Sequence, residues 1–413
     1  MRIVKYIASR YFFLLAFIYF IYCLFHIQSQ TNSAQSLVSN ADKYAGVIIE
    51  YPVPVRIQQR VTVLNEINQL RMFIYLPREE QIEKGGYIEC EGNGVVADNQ
   101  YAQSKNVHLS IYYCKDIKIT KGNNSIQSFI NSARGFIEKI CRENLPEPQA
   151  SLLLGMLIGS NEAFTVDFEN SLLLSGTSHI IAVSGYNVNF VTGLLLLLSR
   201  FINKNRLMLI IIPLLLLYLI IVGVENIPAL RATFMNIYLL FGQMLGAKRD
   251  FLNSMGLSLL LILIINPFAV LSVSLYLSFL AVISQNILSP FVSKYIKYDS
   301  LRTSLVCIVG TLPLTVILFQ VFFPWSLPIN VIIAPLLPII MELVLITFPL
   351  ILIFPQLANV LIFPLRSVFK VLVDIIYFAE KLPLNRIESH DLYLFAIPIF
   401  LVVVFVIYKR RSK

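Results

Sequence analysis

Apolar runs long enough to cross a bilayer, each needing about 20 residues, recur along this 413-residue chain and constrain it more than anything else in the sequence. They lie at Tyr11 to Ile27, Ile180 to Leu198, Leu207 to Val222, Pro228 to Leu245, Leu252 to Ile265, Ala269 to Leu288, Ser304 to Phe323, Leu327 to Phe354 and Leu392 to Tyr408. The expected count is roughly nine to ten membrane helices, depending on where prolines interrupt a run. A content of 57% hydrophobic and 14% charged residues excludes an ordinary soluble domain.

The first run follows Arg2, Lys5 and Arg10, as a signal peptide would. Its Tyr/Phe-rich core exceeds the usual apolar stretch of about 7–15 residues, and "CLFHIQSQTNSAQS" is a poor cleavage site. An uncleaved transmembrane anchor over 1–40 is therefore expected.

The net charge of +9 invites a nucleic-acid reading, but its distribution is topological. Lys and Arg gather in "MRIVKYIASR", "RFINKNR", "AKRD", "KYIKYDSLR" and "YKRRSK", the short loops that the positive-inside rule assigns to the cytoplasm. Between Asp42 and Glu147 thirteen basic residues face thirteen acidic ones. Both termini are expected in the cytoplasm and the polar segment outside it, in a multi-pass protein of the cytoplasmic (inner) membrane.

That segment, 41–121, reads as five short strands: "KYAGVII", "RIQQRVTVLN", "RMFIYL", "GYIECEG" and "VHLSIYYCKDIKI". The pattern suits a small barrel of OB type among other all-β folds. Tyr75, Tyr87, Tyr112 and Tyr113 then stand either as stacking platforms for bases or as ordinary strand tyrosines. The fold class expected is a polytopic α-helical membrane protein with an extracytoplasmic small all-β, OB-like domain inserted after the first transmembrane helix.

Cys90 and Cys114 fall on two of these strands in an oxidising compartment, and admit either a disulfide or two buried thiols. The isolated His26, His108, His179 and His390, with no CxxC, predict no metal site, and no cofactor is expected.

In "NSIQSFINSARGFIEKICREN", Ile126, Phe129, Ile130, Ala133, Phe136, Ile137 and Ile140 recur at helical spacing, predicting an amphipathic helix on the outer leaflet within a linker over 122–149. Beyond it, "ASLLLGMLIGSNEAFTVDFENSLLLSG" gives two apolar pieces too short to span. They are expected to be interfacial or re-entrant helices joined by a turn at Gly159 to Thr165. The transmembrane domain is assigned to 150–413.

Three ordered blocks carry a resemblance. "SLLLGMLIGSNEAFTVDFENSLLLSGTSHIIAVSGYNV", "VGVENIPALRATFMNIYLLFGQMLGAKRDFLNSMGLSLLLILIINPFAVLSVSLYLSFLAV" and "GTLPLTVILFQVFFPWSLPINVIIAPL" together resemble the ComEC family of competence proteins. The resemblance implies an inner-membrane channel that passes single-stranded DNA inward during natural transformation. It marks His179, Ser184, Gly185, Asn187, Arg231, Asn253, Ser278 and Asn330 as motif positions and candidates for the DNA pathway. Two departures stand out. The family carries a second histidine where this chain has Asn187, and many members continue into a metallo-β-lactamase-like domain, whereas this sequence reaches Lys413 without an HxHxDH-type cluster. The expected partners are single-stranded DNA, the lipid bilayer, a separate nuclease, a DNA-receptor protein and a cytoplasmic helicase, since the chain carries no nucleotide-binding loop.

Physical chemistry gives these positions alternatives. Polar groups at membrane depth mark either packing junctions or a pathway. His179 and Asn187 would stand within about 80° on one continuous helix, which Gly185 would break. Arg231 suits a phosphate fork or a structural pair with Glu225. Glu342 suits a structural hydrogen bond or a proton-coupled role, and Arg366, Lys370 and Asp374 form a stripe for an interface or a vestibule. An intramembrane serine hydrolase built on Ser184 and His179 fails on geometry, because five residues separate their side chains by about 140° on a helix. A small-solute transporter would show paired interrupted helices, and no such pair is found.

Overall fold

The computed structural model describes residues 11–34, 43–55, 58–65, 71–80, 82–97, 102, 105, 107–122, 125–160, 164–181, 185–197, 203–246, 250–383 and 387–388. The final apolar run, Leu392 to Tyr408, lies outside the described residues. The chain is mostly helical with one small β-barrel. Its Cα packing divides into two units, Met1–Ile140 with Leu154–Ala163 and Ala182–Leu275, and Cys141–Leu153 with Phe164–Ile181 and Tyr276–Lys413.

In the first unit a helix, α1 (Tyr11–Ala34), precedes six strands: β1 (Lys43–Ile48), β2 (Val53–Val55), β3 (Gln58–Leu64), β4 (Arg71–Pro77), β5 (Tyr87–Val96) and β6 (Val107–Thr120). Five of them are the expected strands; β2 is additional, a three-residue strand that follows Pro52, contains Pro54 and pairs only the start of β3. The order β1-β5-β6-β4-β3, with β1 also bonded to β3, closes the sheet. Every pairing is antiparallel except β4 with β6. Closure is sterically exacting, because a Cβ on Gly46 of β1 would lie 2.3 Å from the Leu64 carbonyl oxygen. Ile48, Val61, Val63, Ile74, Leu76, Ile88 and Ile111 fill the interior, as the period-2 alternation of the strands requires. The Cys90 and Cys114 sulfurs meet within it, with Cα atoms 5.6 Å apart.

A charged cluster sits on the barrel's edge. Glu50 is buried and receives the Lys105 ammonium at 2.9 Å and the Thr62 hydroxyl at 2.9 Å. Burial works against its carboxylate, but Lys105 and Thr62 outweigh that cost and hold the Glu50 pKa below the usual carboxylate value.

The amphipathic helix appears as α2 (Ser125–Asn144), followed by α3 (Gln149–Ile158) and α4 (Val166–Leu174). The two short helices of the sequence reading are therefore present. α3 is buried along almost its whole length, from Ala150 to Met156 and again at Ile158, so it lacks the exposed face of an interfacial helix. α4 belongs to the second unit, and the first holds α5 (Gly185–Leu197), α6 (Lys204–Val222), α7 (Ile227–Met244) and α8 (Phe251–Ile265). Here α1 packs on α8, and α7 packs on α5, α6 and α8. The α1 crossing depends on Gly256, where a Cβ would meet the Phe13 backbone at 2.5 Å.

The second unit contains most of α9 (Val273–Val292), then α10 (Asp299–Phe319), α11 (Ser326–Ile333), α12 (Leu336–Ile353) and α13 (Ala358–Glu380). Strands β7 (Val321–Phe322) and β8 (Ile387–Glu388) pair beside them. Among the described residues, three stretches are long and apolar enough to cross a membrane: Val273–Val292, Leu301–Phe319 and Ser326–Phe348. Shorter apolar helices cover Tyr11–Leu24, Gln149–Ile158, Arg206–Val222 and Phe251–Ile265.

Three expected spans are corrected. The run Ile180 to Leu198 is not one helix: Ile180 ends a 3-10 turn, Ser178–Ile180, Ile181 is a bend, and α5 is described from Gly185. His179 and Asn187 therefore do not share a continuous helix. The run from Ala269 begins as a 3-10 turn, Pro267–Leu271, because the Asn266 side chain accepts the Phe268 N–H at 3.2 Å and ends α8. The run Leu327 to Phe354 carries a turn at Ala334 and Pro335 between α11 and α12, within the candidate span Ser326–Phe348, as a proline without an N–H favours.

Candidate functional site

The first unit brings three of the motif residues together. Asn187 on α5 is buried, and its Nδ2 donates to the Met156 carbonyl at 2.7 Å, close to the end of α3. Gly185, one turn-start earlier, faces α7, where a Cβ would stand 2.7 Å from Arg231 Nη2 and 3.3 Å from Ala232 Cβ. The missing side chain makes the space that the Arg231 guanidinium occupies, and Arg231 is only 8% exposed. Asn226 fixes the start of α7 by accepting the Ala229 N–H at 3.0 Å, and Pro228 occupies its first turn.

Further along the same pair of helices, Asn236 Nδ2 donates to Asn189 Oδ1 at 2.9 Å and to Thr192 Oγ1 at 3.3 Å. Positions 185, 189 and 192 of α5 thus oppose 231 and 236 of α7, a polar seam along helices that are otherwise apolar. Asn189, Thr192 and Asn236 were absent from the candidates, although the i, i+4, i+7 spacing of 185, 189 and 192 signals one helix face.

Glu225, one alternative weighed for Arg231, forms an ion pair with Lys84 of the barrel at 2.8 Å. The Lys84 carbonyl in turn accepts Asn131 Nδ2 at 3.0 Å. Arg134 lies 4% exposed, missed because its sequence position reads as a polar helix face. It donates to the Ile158 carbonyl at 2.9 Å and to the carbonyls of Ile221 and Val222, and stacks 3.7 Å from the centre of the Tyr51 ring. One guanidinium therefore caps the ends of both α3 and α6.

A cavity of about 670 Å3 opens between barrel residues Glu50, Arg71 and Lys105 and helix-end residues Glu225, Pro228 and Leu230. Leu230 lines it, whereas the next residue, Arg231, turns to Gly185 of α5.

The other candidates separate from this seam. Asn253 begins α8, where its N–H donates to Asp250 Oδ1 at 3.1 Å, a capping arrangement. In the second unit Asn330 of α11 donates from Nδ2 to the Ser326 carbonyl at 2.8 Å and to the Gly176 carbonyl at 3.4 Å. It pins the turn at Gly176, whose φ of 66° suits glycine. His179 follows on an exposed 3-10 turn, and Ser278 is half-buried on α9. Ser184 lies outside the described residues. Glu342 is exposed on the outer stripe of α12 with Ile339, Ile346 and Ile353, not in a buried hydrogen bond. Arg366 donates to the Asn144 carbonyl, whereas Lys370 and Asp374 are exposed on α13. No cluster of three or more metal-ligating side chains occurs among the described residues.

The family model for competence proteins matches residues 156–413, which include the seam, the Gly176 turn and the three candidate spans. The chain belongs to the competence protein family. It is also 23% identical over 285 residues, 67% of its length, to the ComE operon protein 3 of Bacillus subtilis. The match covers 36% of that relative, so the chain spans about a third of its length. No solved structure matches the chain.

Proposed function

We propose that this competence-family chain is a multi-pass conduit that carries single-stranded DNA across the cytoplasmic membrane during natural transformation. The observation that carries the reading is the buried Arg231 guanidinium, seated on Gly185 in the family-matched region, one residue beyond Leu230 of the cavity lining. A guanidinium retains its charge and can fork onto a phosphate, while Asn189, Thr192 and Asn236 continue the polar surface with groups that favour no particular base.

The barrel supports the same reading. Its closed order with one parallel pair is that of an OB barrel to which β2 has been added. On it Tyr75 and Tyr112 stack at 4.6 Å, Arg60 hydrogen-bonds Tyr75, and the Arg60 guanidinium lies 4.5 Å from the centre of the Phe73 ring. Such a surface offers ring faces to unpaired bases. The barrel lies outside the membrane, where Cys90 and Cys114 form a disulfide, and both termini lie in the cytoplasm. A separate nuclease, a DNA receptor and a cytoplasmic helicase supply strand degradation, capture and driving force. The chain performs no enzymatic step.

The test is uptake of labelled DNA by cells whose own copy is replaced by Arg231→Ala or His179→Ala. Both variants are expected to insert normally and to abolish internalisation, with DNA still bound at the cell surface. Normal internalisation in both would defeat the pathway assignment.

A further inference from the structure

Helix α2 presents its side chains in an unusual way. At 100° per residue, Ile126, Phe129, Ile130, Ala133, Phe136, Ile137 and Ile140 share an arc of about 120°. The protein covers only part of it: Ile130 and Ile140 are buried, whereas Ile126 is 71% exposed, Phe129 65% and Phe136 43%. The adjoining arc carries Ser128, Ser132 and Lys139, all exposed. The cation Arg134 is turned inward while two phenylalanines face out, the reverse of a helix bounded by water.

Arg134 fixes what borders that outer edge. Its guanidinium holds α2 across the last carbonyls of α6, at Ile221 and Val222. The flank of α6 exposes Leu209, Ile210, Leu216, Leu217 and Ile220, an uninterrupted aliphatic surface that only hydrocarbon suits. α2 therefore crosses the end of a lipid-facing helix, at the depth where hydrocarbon gives way to headgroups.

We infer that the Ile126, Phe129 and Phe136 edge of α2 is a lipid-binding surface that sinks into the interfacial layer of the leaflet beneath the barrel. Because α2 also hydrogen-bonds the barrel from Asn131 to the Lys84 carbonyl, this seating sets the height of the barrel above the bilayer. The inference shares the membrane placement of the proposed topology and is independent of any role in DNA transport.

The test uses the full chain in phosphatidylcholine vesicles, with the single native tryptophan removed as Trp325→Phe. New reporters are introduced as Phe129→Trp on the apolar edge and Ser128→Trp on the polar arc. Lipids brominated high on the acyl chains are expected to quench the Phe129→Trp emission at least twofold while aqueous iodide does not; Ser128→Trp is expected to show the reverse. Equal behaviour at the two sites, or iodide quenching of Phe129→Trp, would overturn the inference. Shielding of Phe129→Trp from both quenchers would also overturn it, since a second copy of the chain would then cover the edge. Should Trp325→Phe not fold, the same contrast is read with Trp325 retained, as the difference from wild type.

Discussion

Replacing Arg134 with Met keeps the aliphatic stem and removes the guanidinium. The helix-end carbonyls of Ile158, Ile221 and Val222 then lose their donor, and the Tyr51 ring loses its cation at 3.7 Å. A hydrogen bond to a charged group contributes about 1.5–3 kcal/mol, and a partly desolvated cation–π contact about 0.5–2 kcal/mol. Burying the charge offsets part of this sum, because the guanidinium itself leaves water. The expected loss is about 1–3 kcal/mol, the cost of leaving buried carbonyl acceptors without a donor. Arg134→Lys is expected to cost about half as much, since an ammonium cannot fork across two helix ends. The assay is denaturant unfolding of the purified protein in mixed micelles, followed by circular dichroism and extrapolated linearly. A change within about 0.5 kcal/mol for Arg134→Met, the size of an ordinary surface substitution, would refute the capping argument.

Three more expectations follow from named contacts. Glu50 has a folded pKa below its unfolded value, so it adds stability above about pH 4.3 that is lost as pH falls through the folded pKa; a Glu50→Gln/Lys105→Met double variant is expected to flatten acid unfolding of the barrel, and an unchanged acid limb would contradict this. Gly256→Leu overpacks the α1 crossing at a cost of about 1–3 kcal/mol. Alkylation of the buried Cys23 on α1 by a membrane-permeant maleimide is expected to rise roughly 5-fold or more, and an unchanged rate would show that α1 does not rest on Gly256. The Cys90–Cys114 link closes 24 residues of chain and is expected to contribute about 3 kcal/mol; identical unfolding midpoints with and without reductant would exclude it.

The strands and the amphipathic helix were legible because their signals are periodic and local. "VTVL" and "FIYL" already dictate half-buried strands, and the Ile and Phe spacing of 126–140 dictates a helix face. β2 escaped because three residues centred on Pro54 carry no periodicity. The membrane helices were read too long wherever a side chain ends a helix against the hydropathy trend. Asn266 stops α8 by capping the next turn, and Pro335 divides α11 from α12, yet both lie in uniformly apolar surroundings. The site was half legible. The block containing Gly185 and Asn187 and the isolated Arg231 drew notice as polar residues in apolar runs, but their proximity depends on how α5 packs against α7, which no single run encodes. Arg134 was hidden for the opposite reason: on an amphipathic helix a cation reads as solvent-facing, and only the ends of two distant helices make it buried.

A conduit for single strands must pass DNA when the purified chain stands alone in a bilayer. The protein is inserted into a planar bilayer, a voltage supplies the driving force, and single-stranded or blunt duplex DNA of equal length is added on the barrel side. The strand reaching the opposite chamber is counted by amplification. The account predicts transfer of single strands well above that of duplex, falling to the protein-free background in Arg231→Ala. Transfer no greater than in protein-free bilayers, or equal transfer by the Arg231→Ala variant, would contradict it.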